Sequence, residues 1–101
     1  MPISDGYGLY PTDEELLKLE EWKFTKDFAT EYHEFMAYAR SLWYYPDYVR
    51  KYKNSYTFIT GGWSGNEDVI GAMRKNFMFW AFAFYSEERG GKFVFRPIGD
   101  E

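Results

Sequence analysis

The chain has no cysteine and only one histidine, His33. Without cysteine there is no disulfide, no thiolate nucleophile and no cysteine-bound metal, so a reducing compartment is allowed. A single imidazole also leaves too few ligands for the usual zinc sites. His33 stands between Tyr32 and Glu34 in a helical pattern. We interpret it as a residue of a helix surface or an interface rather than as a catalytic base.

Long apolar runs are missing as well. None approaches the roughly 20 residues that cross a bilayer, and residues 1–8 have neither the basic start nor the apolar stretch of a signal peptide. We therefore expect a soluble protein of the cytoplasm, without a membrane partner.

Basic residues are in deficit, since 12 Lys and Arg face 16 Asp and Glu. The deficit is uneven, because residues 1–50 hold ten acids and five bases whereas residues 51–101 hold six acids and seven bases. A protein that grips duplex nucleic acid normally shows a basic stripe. The acidic half argues against direct duplex binding and predicts a partner with a basic surface.

Aromatic residues are abundant, at 24% of the chain. A length of 101 residues predicts one domain, and a domain this small buries only somewhat more than about 60% of its unfolded surface. Large rings can supply the dense core that it needs. Not all of them fit inside, and exposed Tyr and Trp often anchor interfaces.

The first half reads as helical. Residues 1–11 form an irregular lead-in, after which Thr12 and Glu15 have the spacing of a capping box. Residues 12–45 form an acidic helical region with one continuous apolar stripe from Phe28 to Trp43. A second cap at Thr25 or Asp27 would divide it, so one helix and two helices both remain open.

Pro46 ends this region, because the residue before a proline avoids helical geometry. Residues 47–54 then predict one more helical turn or a connector. Residues 55–97 predict the order β-α-β-β. The first strand spans residues 55–60, and a helix over 67–75 follows, capped by Ser64 or Asn66. A central strand over 77–86 is buried on both faces, and a hairpin turn at 87–91 leads to the last strand, over 92–97. The predicted fold class is α+β, with a three-stranded mixed sheet whose first two strands are parallel and with helices packed on it.

The glycine-rich stretch TGGWSGNED, residues 60–68, has the strand-to-helix placement of a phosphate loop. It lacks the Walker lysine and the G-x-G-x-x-G spacing, and Glu67 and Asp68 put carboxylates where an anion would bind. The G-x-S-x-G spacing of serine hydrolases is absent too. A structural turn is favoured. The alternative is a small-ligand or nucleotide site, whose candidate residues are Gly61, Gly62, Trp63, Ser64, Asn66 and Arg89.

Two surface features remain as candidate partner-binding sites, while no catalytic residue, metal site or cofactor is predicted. The first is an acidic helical surface, which could mimic nucleic-acid phosphates or be an ordinary solvated face. Its residues are Asp13, Glu14, Glu20, Glu21, Asp27, Glu31 and Glu34. The second is a tyrosine-rich segment near Arg50, typical of interfaces and also suited to base stacking on single strands. The tyrosines of this segment are Tyr44, Tyr45, Tyr48 and Tyr52, of which the first three are the candidate partner-binding residues.

The segments FITGGWSGNEDVIGAM (58–73) and FMFWAFAFYSEERGGKFVF (77–95) resemble a pattern in small proteins of tailed bacteriophages and prophages. The resemblance covers roughly residues 56–96. Its matching positions are Thr60, Gly61, Gly62, Trp63, Ser64, Gly65, Asn66, Glu67, Phe79, Trp80, Arg89, Gly90 and Gly91. We attach no activity to that family. The resemblance implies a phage accessory protein that acts in a bacterial cytoplasm.

Together these features predict a non-enzymatic phage protein that binds and inhibits a host defence protein. The host target would be a CRISPR-Cas or restriction component with a basic nucleic-acid channel, which the acidic helices would occupy. One alternative is a ligand-binding module or small enzyme that uses the glycine-rich loop. Another is a virion component that self-associates through its aromatic surface, so the oligomeric state stays open.

Overall fold

The computed structural model describes residues 11–25 and 27–97, and the predicted lead-in at residues 1–11 lies outside them except for Pro11. The elements along the chain are α1 (Asp13–Glu20), α2 (Phe28–Ser41), a 3-10 turn (Pro46–Tyr48), β1 (Val49–Tyr52), β2 (Ser55–Ile59), α3 (Ser64–Lys75), α4 (Phe77–Ala83), β3 (Phe84–Glu88) and β4 (Lys92–Phe95). The predicted α+β class is confirmed.

The acidic helical region is two helices. The capping box at the start of α1 is confirmed, since the Glu15 amide donates to Thr12 Oγ1 at 3.0 Å and the Thr12 amide donates to Glu15 Oε1 at 2.8 Å. Asp27 begins α2 by accepting from the Ala29 amide at 3.1 Å. Of the two caps considered for the second helix, Asp27 is the one used, while Thr25 lies in the connection.

The sheet has four strands in the order β1-β2-β4-β3, and every neighbouring pair is antiparallel. The prediction of a three-stranded mixed sheet with a parallel first pair is therefore wrong. One missed strand is β1, within residues 47–54. It contains a single buried residue, Val49, so it has no alternating apolar pattern from which a strand could be recognised.

The larger error concerns residues 77–86, which are not a central strand. They form α4 and then β3, a strand at the edge of the sheet. Asn76 caps α4, because its Oδ1 accepts from the Phe79 amide at 3.1 Å. Phe79 and Ala83 face the core whereas Phe77 is 85% exposed. The segment has helical periodicity, which its density of aromatic residues conceals.

All the helices lie on one face of the sheet, which we call the covered face. Phe58 and Phe93 are opposite each other there and are buried. The core between the layers is aromatic: Phe79 stacks on Phe35 at 4.3 Å and lies 5.3 Å from Phe95, measured between ring centroids. Among the described residues, no helix is long and apolar enough to cross a membrane.

The alternate residues of the strands point to the opposite side, which we call the open face. In the pairing register, Arg50 is opposite Thr57, Thr57 is opposite Val94, and Val94 is opposite Ser86. The other members of the open face are Tyr52, Ser55, Ile59, Lys92 and Glu88. None of these nine residues is buried.

Candidate interaction surfaces

Residues that the sequence placed in two separate candidate sites form one group of rings. Tyr44, Tyr45 and Tyr48 follow α2, and Trp63 comes from the glycine-rich loop. The ring centroids of Tyr44 and Trp63 are 4.6 Å apart, and those of Tyr45 and Trp63 are 6.0 Å apart. Tyr45 is 51% exposed and Trp63 is 37% exposed. We call these four residues the aromatic cluster.

A buried asparagine holds the two halves of the cluster together. Asn66 Oδ1 accepts from the Tyr44 amide at 2.8 Å, and its Nδ2 donates to the carbonyl oxygens of Tyr44 and Thr60, each at 3.2 Å. The prediction that Ser64 or Asn66 caps α3 is therefore wrong. The capping position is Trp63, which makes no side-chain capping bond. Asn66 instead crosslinks the end of the α2 region to the end of β2.

The backbone around the cluster is strained. Tyr45 has φ 61° and ψ 76°, in the left-handed region, which costs a non-glycine residue about 1–2 kcal/mol. Gly61 also has positive φ, and a Cβ there would lie 3.0 Å from Trp63 Cδ1 and 3.3 Å from Tyr48 Cε2. Glycine at position 61 thus leaves room for the rings to pack. Strain of this kind is concentrated at functional sites.

The hydroxyl groups of the cluster also interact. A hydrogen bond with the side chain of Tyr45 is the main reason why the pKa of Tyr44 is raised above its ordinary value. The Tyr44 phenol is therefore a neutral hydrogen-bonding group at physiological pH.

The two glycine turns meet at one end of the sheet, where the Thr60 amide donates to the Gly91 carbonyl at 2.9 Å. A groove of about 320 Å³ lies nearby between α3 and the β3–β4 hairpin. Glu67 and Arg74 line it, and Arg74 Nη2 is 3.3 Å from Glu87 Oε1. Arg89, which was expected beside the loop, is exposed and does not line this groove. Two carboxylates around the one guanidinium make the groove unsuited to a phosphate.

The predicted acidic surface is dispersed. Asp13 and Glu14 are exposed in the first turn of α1, and Glu21 is exposed just after that helix. Glu20 Oε2 is 3.8 Å from Lys75 Nζ, which partly offsets its charge. On α2, the acids Asp27, Glu31 and Glu34 follow one side at helical spacing.

Asp27 caps the start of α2 and Glu31 and Glu34 lie in its first half, whereas the aromatic cluster follows its end. At 1.5 Å per residue, even Glu34 lies about 12 Å along the helix axis from Leu42 at the C-terminal cap. The structure therefore does not join the acidic residues of α2 and the tyrosines into one surface.

An apolar surface on α4 was missed. Phe77, Met78 and Phe82 are exposed together, and a groove of about 400 Å³ beside Phe77 and Met78 is also lined by Glu20 and Glu21. The spacing of these residues, at one, four and five positions apart, was the available signal. Predicting a strand for this segment concealed it, because a strand would have divided these residues between two faces.

His33 links α2 to the sheet through both of its ring nitrogens. Its Nδ1 is 2.8 Å from the Tyr56 hydroxyl oxygen and its Nε2 is 3.2 Å from Asn54 Oδ1. Burial raises the pKa of Tyr56. In the described part of the chain, no group of three or more His, Asp or Glu side chains could hold a metal ion.

Comparison of the chain with protein-family models, with curated proteins and with solved structures returned no match. The phage resemblance of residues 56–96 thus stays a prediction.

Proposed function

We propose that the protein is a non-enzymatic binding module whose aromatic cluster holds a partner protein. The observation that carries the proposal is the cluster's construction. Four rings from two distant parts of the chain are fixed at the surface by buried Asn66, with Tyr45 in a strained conformation. Tyr and Trp are the residues most often found at the energetic centres of protein interfaces.

Preorganisation strengthens this interpretation. Tyr and Trp have few rotatable bonds, so they lose little conformational entropy when a partner covers them. Tyr44 and Trp63 meet nearly edge to face at 70°, so each ring restricts the other. A partner would therefore meet a surface that is already ordered.

The charges near the cluster favour a basic partner. Asp47 lies within the cluster's own segment, and Glu67 and Asp68 follow Trp63 at the start of α3; all three are exposed. The acids of α1 and α2 would add long-range attraction, which speeds association and weakens as salt rises. Acidic side chains would serve mainly to steer the partner and the rings to anchor it.

The biological role that we propose is that of a phage accessory protein. It would bind and inhibit a host defence protein, with anti-CRISPR or anti-restriction activity, in the bacterial cytoplasm. The support for this finer proposal is the resemblance of residues 56–96 and the excess of acids in residues 1–50. Basic nucleic-acid channels of host proteins are the complementary surfaces.

An affinity pull-down from a bacterial host, followed by binding measurements with the purified partner, tests the proposal. The double variant Tyr45→Ala/Trp63→Ala should weaken binding by tenfold or more, since each anchor contributes at least about 1–2 kcal/mol. Phe77→Ser is the matched control, because it removes an exposed ring far along the chain from the cluster. If the double variant binds as well as wild type while Phe77→Ser does not, the α4 surface is the interface and the proposal is wrong.

A separate variant tests the acidic contribution. Reversing Glu20, Glu21, Glu31 and Glu34 to Lys should slow association and remove most of its salt dependence. Unchanged association kinetics would show that the acids are an ordinary solvated surface.

A small-ligand module remains the second candidate, because the groove lined by Glu67 and Arg74 is next to the glycine-rich loop. A thermal-shift screen against nucleotides and sugars tests it, and sugars should bind better than nucleotides because the groove is unsuited to a phosphate. A true ligand should raise the melting temperature, and either Arg74→Ala or the pair Ser64→Ala and Trp63→Ala should abolish that rise. A blank screen argues against this candidate.

A further inference from the structure

We propose that the open face of the sheet binds single-stranded nucleic acid, with Tyr52 and Tyr85 stacking on bases. This site is separate from the aromatic cluster and from the acidic helices. It rests on three features of the described residues: the chemistry of the open face, its charge and the placement of two exposed rings.

The open face is shaped as a platform. Its central rows consist of small or short side chains, among them Ser55, Thr57, Val94 and Ser86, which are half-buried. The helices are all on the covered face, so an extended chain could lie across these rows without displacing any described element. Sheets that are open in this way are a recurrent means of holding single-stranded nucleic acid.

The charge of this side is opposite to that of the protein as a whole. The bases at or beside the open face are Arg50, Lys53, Lys92 and Arg96, whereas Lys51 is on the covered face, with its Nζ 5.7 Å from the ring centroid of Tyr56. The acids of the sheet are on β3. Glu87 is paired with Arg74 at 3.3 Å on the covered side, and Glu88 Oε1 is 3.8 Å from Lys92 Nζ. Among the described residues the acids are therefore concentrated in the helical layer, and the sheet's open side is basic.

Two exposed rings lie at the two edges of this face. Tyr52 on β1 is 74% exposed and Tyr85 on β3 is 59% exposed. Each has a cation near its ring: Lys53 Nζ is 5.5 Å from the Tyr52 centroid, and the Arg96 guanidinium carbon is 4.8 Å from the Tyr85 centroid. A ring beside a cation can hold a base and its phosphate together.

Tyr52 belongs to one row of the pairing register, and Tyr85, which lies in the β3 bulge between Phe84 and Ser86 and has no partner in the register, meets that row through its contact with Arg96. Tyr52 pairs with Ser55, and because Tyr56 pairs with Phe95, the next residue along β4, Arg96, continues the row beside Tyr85. The edge strands are three strand spacings apart, about 14 Å in all. A strand of a few nucleotides could therefore reach both rings.

Duplex nucleic acid fits this surface less well. Bases in a duplex are stacked on one another, so Tyr52 and Tyr85 could not reach their faces. An acidic peptide would match the charge but would have no use for two exposed rings. Two exposed rings on a basic surface therefore favour a single-stranded nucleic acid.

The test is fluorescence anisotropy with labelled single strands of about 12 nucleotides, as DNA and as RNA. We expect a dissociation constant below about 100 µM at physiological salt. For about three phosphate contacts, the logarithm of the binding constant should fall with the logarithm of salt concentration with a slope near −2. No binding at about 100 µM protein would overturn the proposal.

Matched variants locate the site. Tyr52→Ala and Tyr85→Ala should each weaken binding about five- to a hundredfold, whereas Tyr52→Phe, which keeps the ring, should bind as wild type does. Both tyrosines are exposed, so the fold should be retained, and circular dichroism checks this. Tyr45→Ala in the aromatic cluster should leave nucleic-acid binding unchanged even if it abolishes binding to the partner protein.

Competition identifies the class of ligand. Unlabelled single strand should displace the probe, while duplex of equal length and polyglutamate should do so at least tenfold less well. If polyglutamate competes equally and both alanine variants bind normally, the surface is a general site for acidic polymers and the proposal is wrong.

Discussion

The two faces of the sheet differ in burial, although they are formed by alternate residues of the same strands. On the covered face, Phe58 and Phe93 are opposite each other and are buried under the helices. One residue further along, Thr57 and Val94 are opposite each other on the open face and stay partly exposed. Stability should therefore depend on the covered face, and binding on the open face and the cluster at its end. Substitutions on each face test that division.

The largest effect is expected on the covered face. Phe79 stacks on Phe35 and is fully buried, so Phe79→Ala should lower the free energy of unfolding by about 3–5 kcal/mol. Phe77→Ala, two residues away and 85% exposed, should change it by less than about 0.5 kcal/mol. Urea denaturation measures both. Equal losses would contradict the burial of Phe79 and the exposure of Phe77 on α4.

The second-largest effect is expected for Asn66, which links the end of the α2 region to the end of β2. Asn66→Ala leaves the amide and carbonyl of Tyr44 without their side-chain partner, and it removes one bond to Thr60. We expect a loss of about 2–3 kcal/mol, typical of buried polar groups left unpaired. Because Asn66 also positions the aromatic cluster, binding of the partner protein should fall, whereas nucleic-acid binding at Tyr85 should persist. Loss of both activities in a folded variant would contradict the separation of the two sites.

A smaller effect is expected in the β3–β4 turn. Gly90 and Gly91 both have positive φ, but a Cβ at Gly91 would clash with Thr60 Oγ1 whereas one at Gly90 would meet nothing within 4 Å. Gly90→Ala should cost about 1–2 kcal/mol from backbone strain alone. Gly91→Ala should cost more, and thermal denaturation of the pair measures the difference. Equal losses would show that the turn relaxes away from β2.

The smallest effect is a shift in the titration of Tyr44. Its pKa is raised because the neutral phenol is hydrogen-bonded to Tyr45. This interaction is present below the ordinary pKa of about 10 and is lost as pH rises through the raised value. Tyr45→Phe should return the pKa of Tyr44 towards its ordinary value. Carbon NMR of labelled tyrosine follows this titration, and an unchanged pKa would rule out the hydrogen bond as its cause.

Local signals predicted the caps of α1 and α2 and the β3–β4 turn, although not the cap of α3. Thr12 with Glu15, Asp27, and the residues 87–91 each act at short range, since a cap or a turn depends on neighbours three or four residues away. The same reasoning failed for residues 77–86. Aromatic residues occur in both strands and buried helices, so a dense run of them leaves the period ambiguous.

The candidate sites show the same contrast between local and long-range information. Sequence reasoning named Tyr44, Tyr45 and Tyr48 as interface candidates and Trp63 as part of a possible ligand loop, so it assigned the four rings to two unrelated sites. Nothing local shows that Asn66 bonds to Tyr44, 22 residues away. The exposed face of α4 was missed because the element itself was wrongly predicted.

The α+β class, the start of α1, the apolar stripe of α2 and the unequal charge of the two halves all follow from the order of the residues along the chain. The packing of distant segments turns this inequality into an acidic helical layer and a basic open face, and it brings two ring-bearing segments onto one surface. The physical reason is that strand order and layer packing depend on contacts between distant residues, whereas caps, turns and periodicity depend on neighbours.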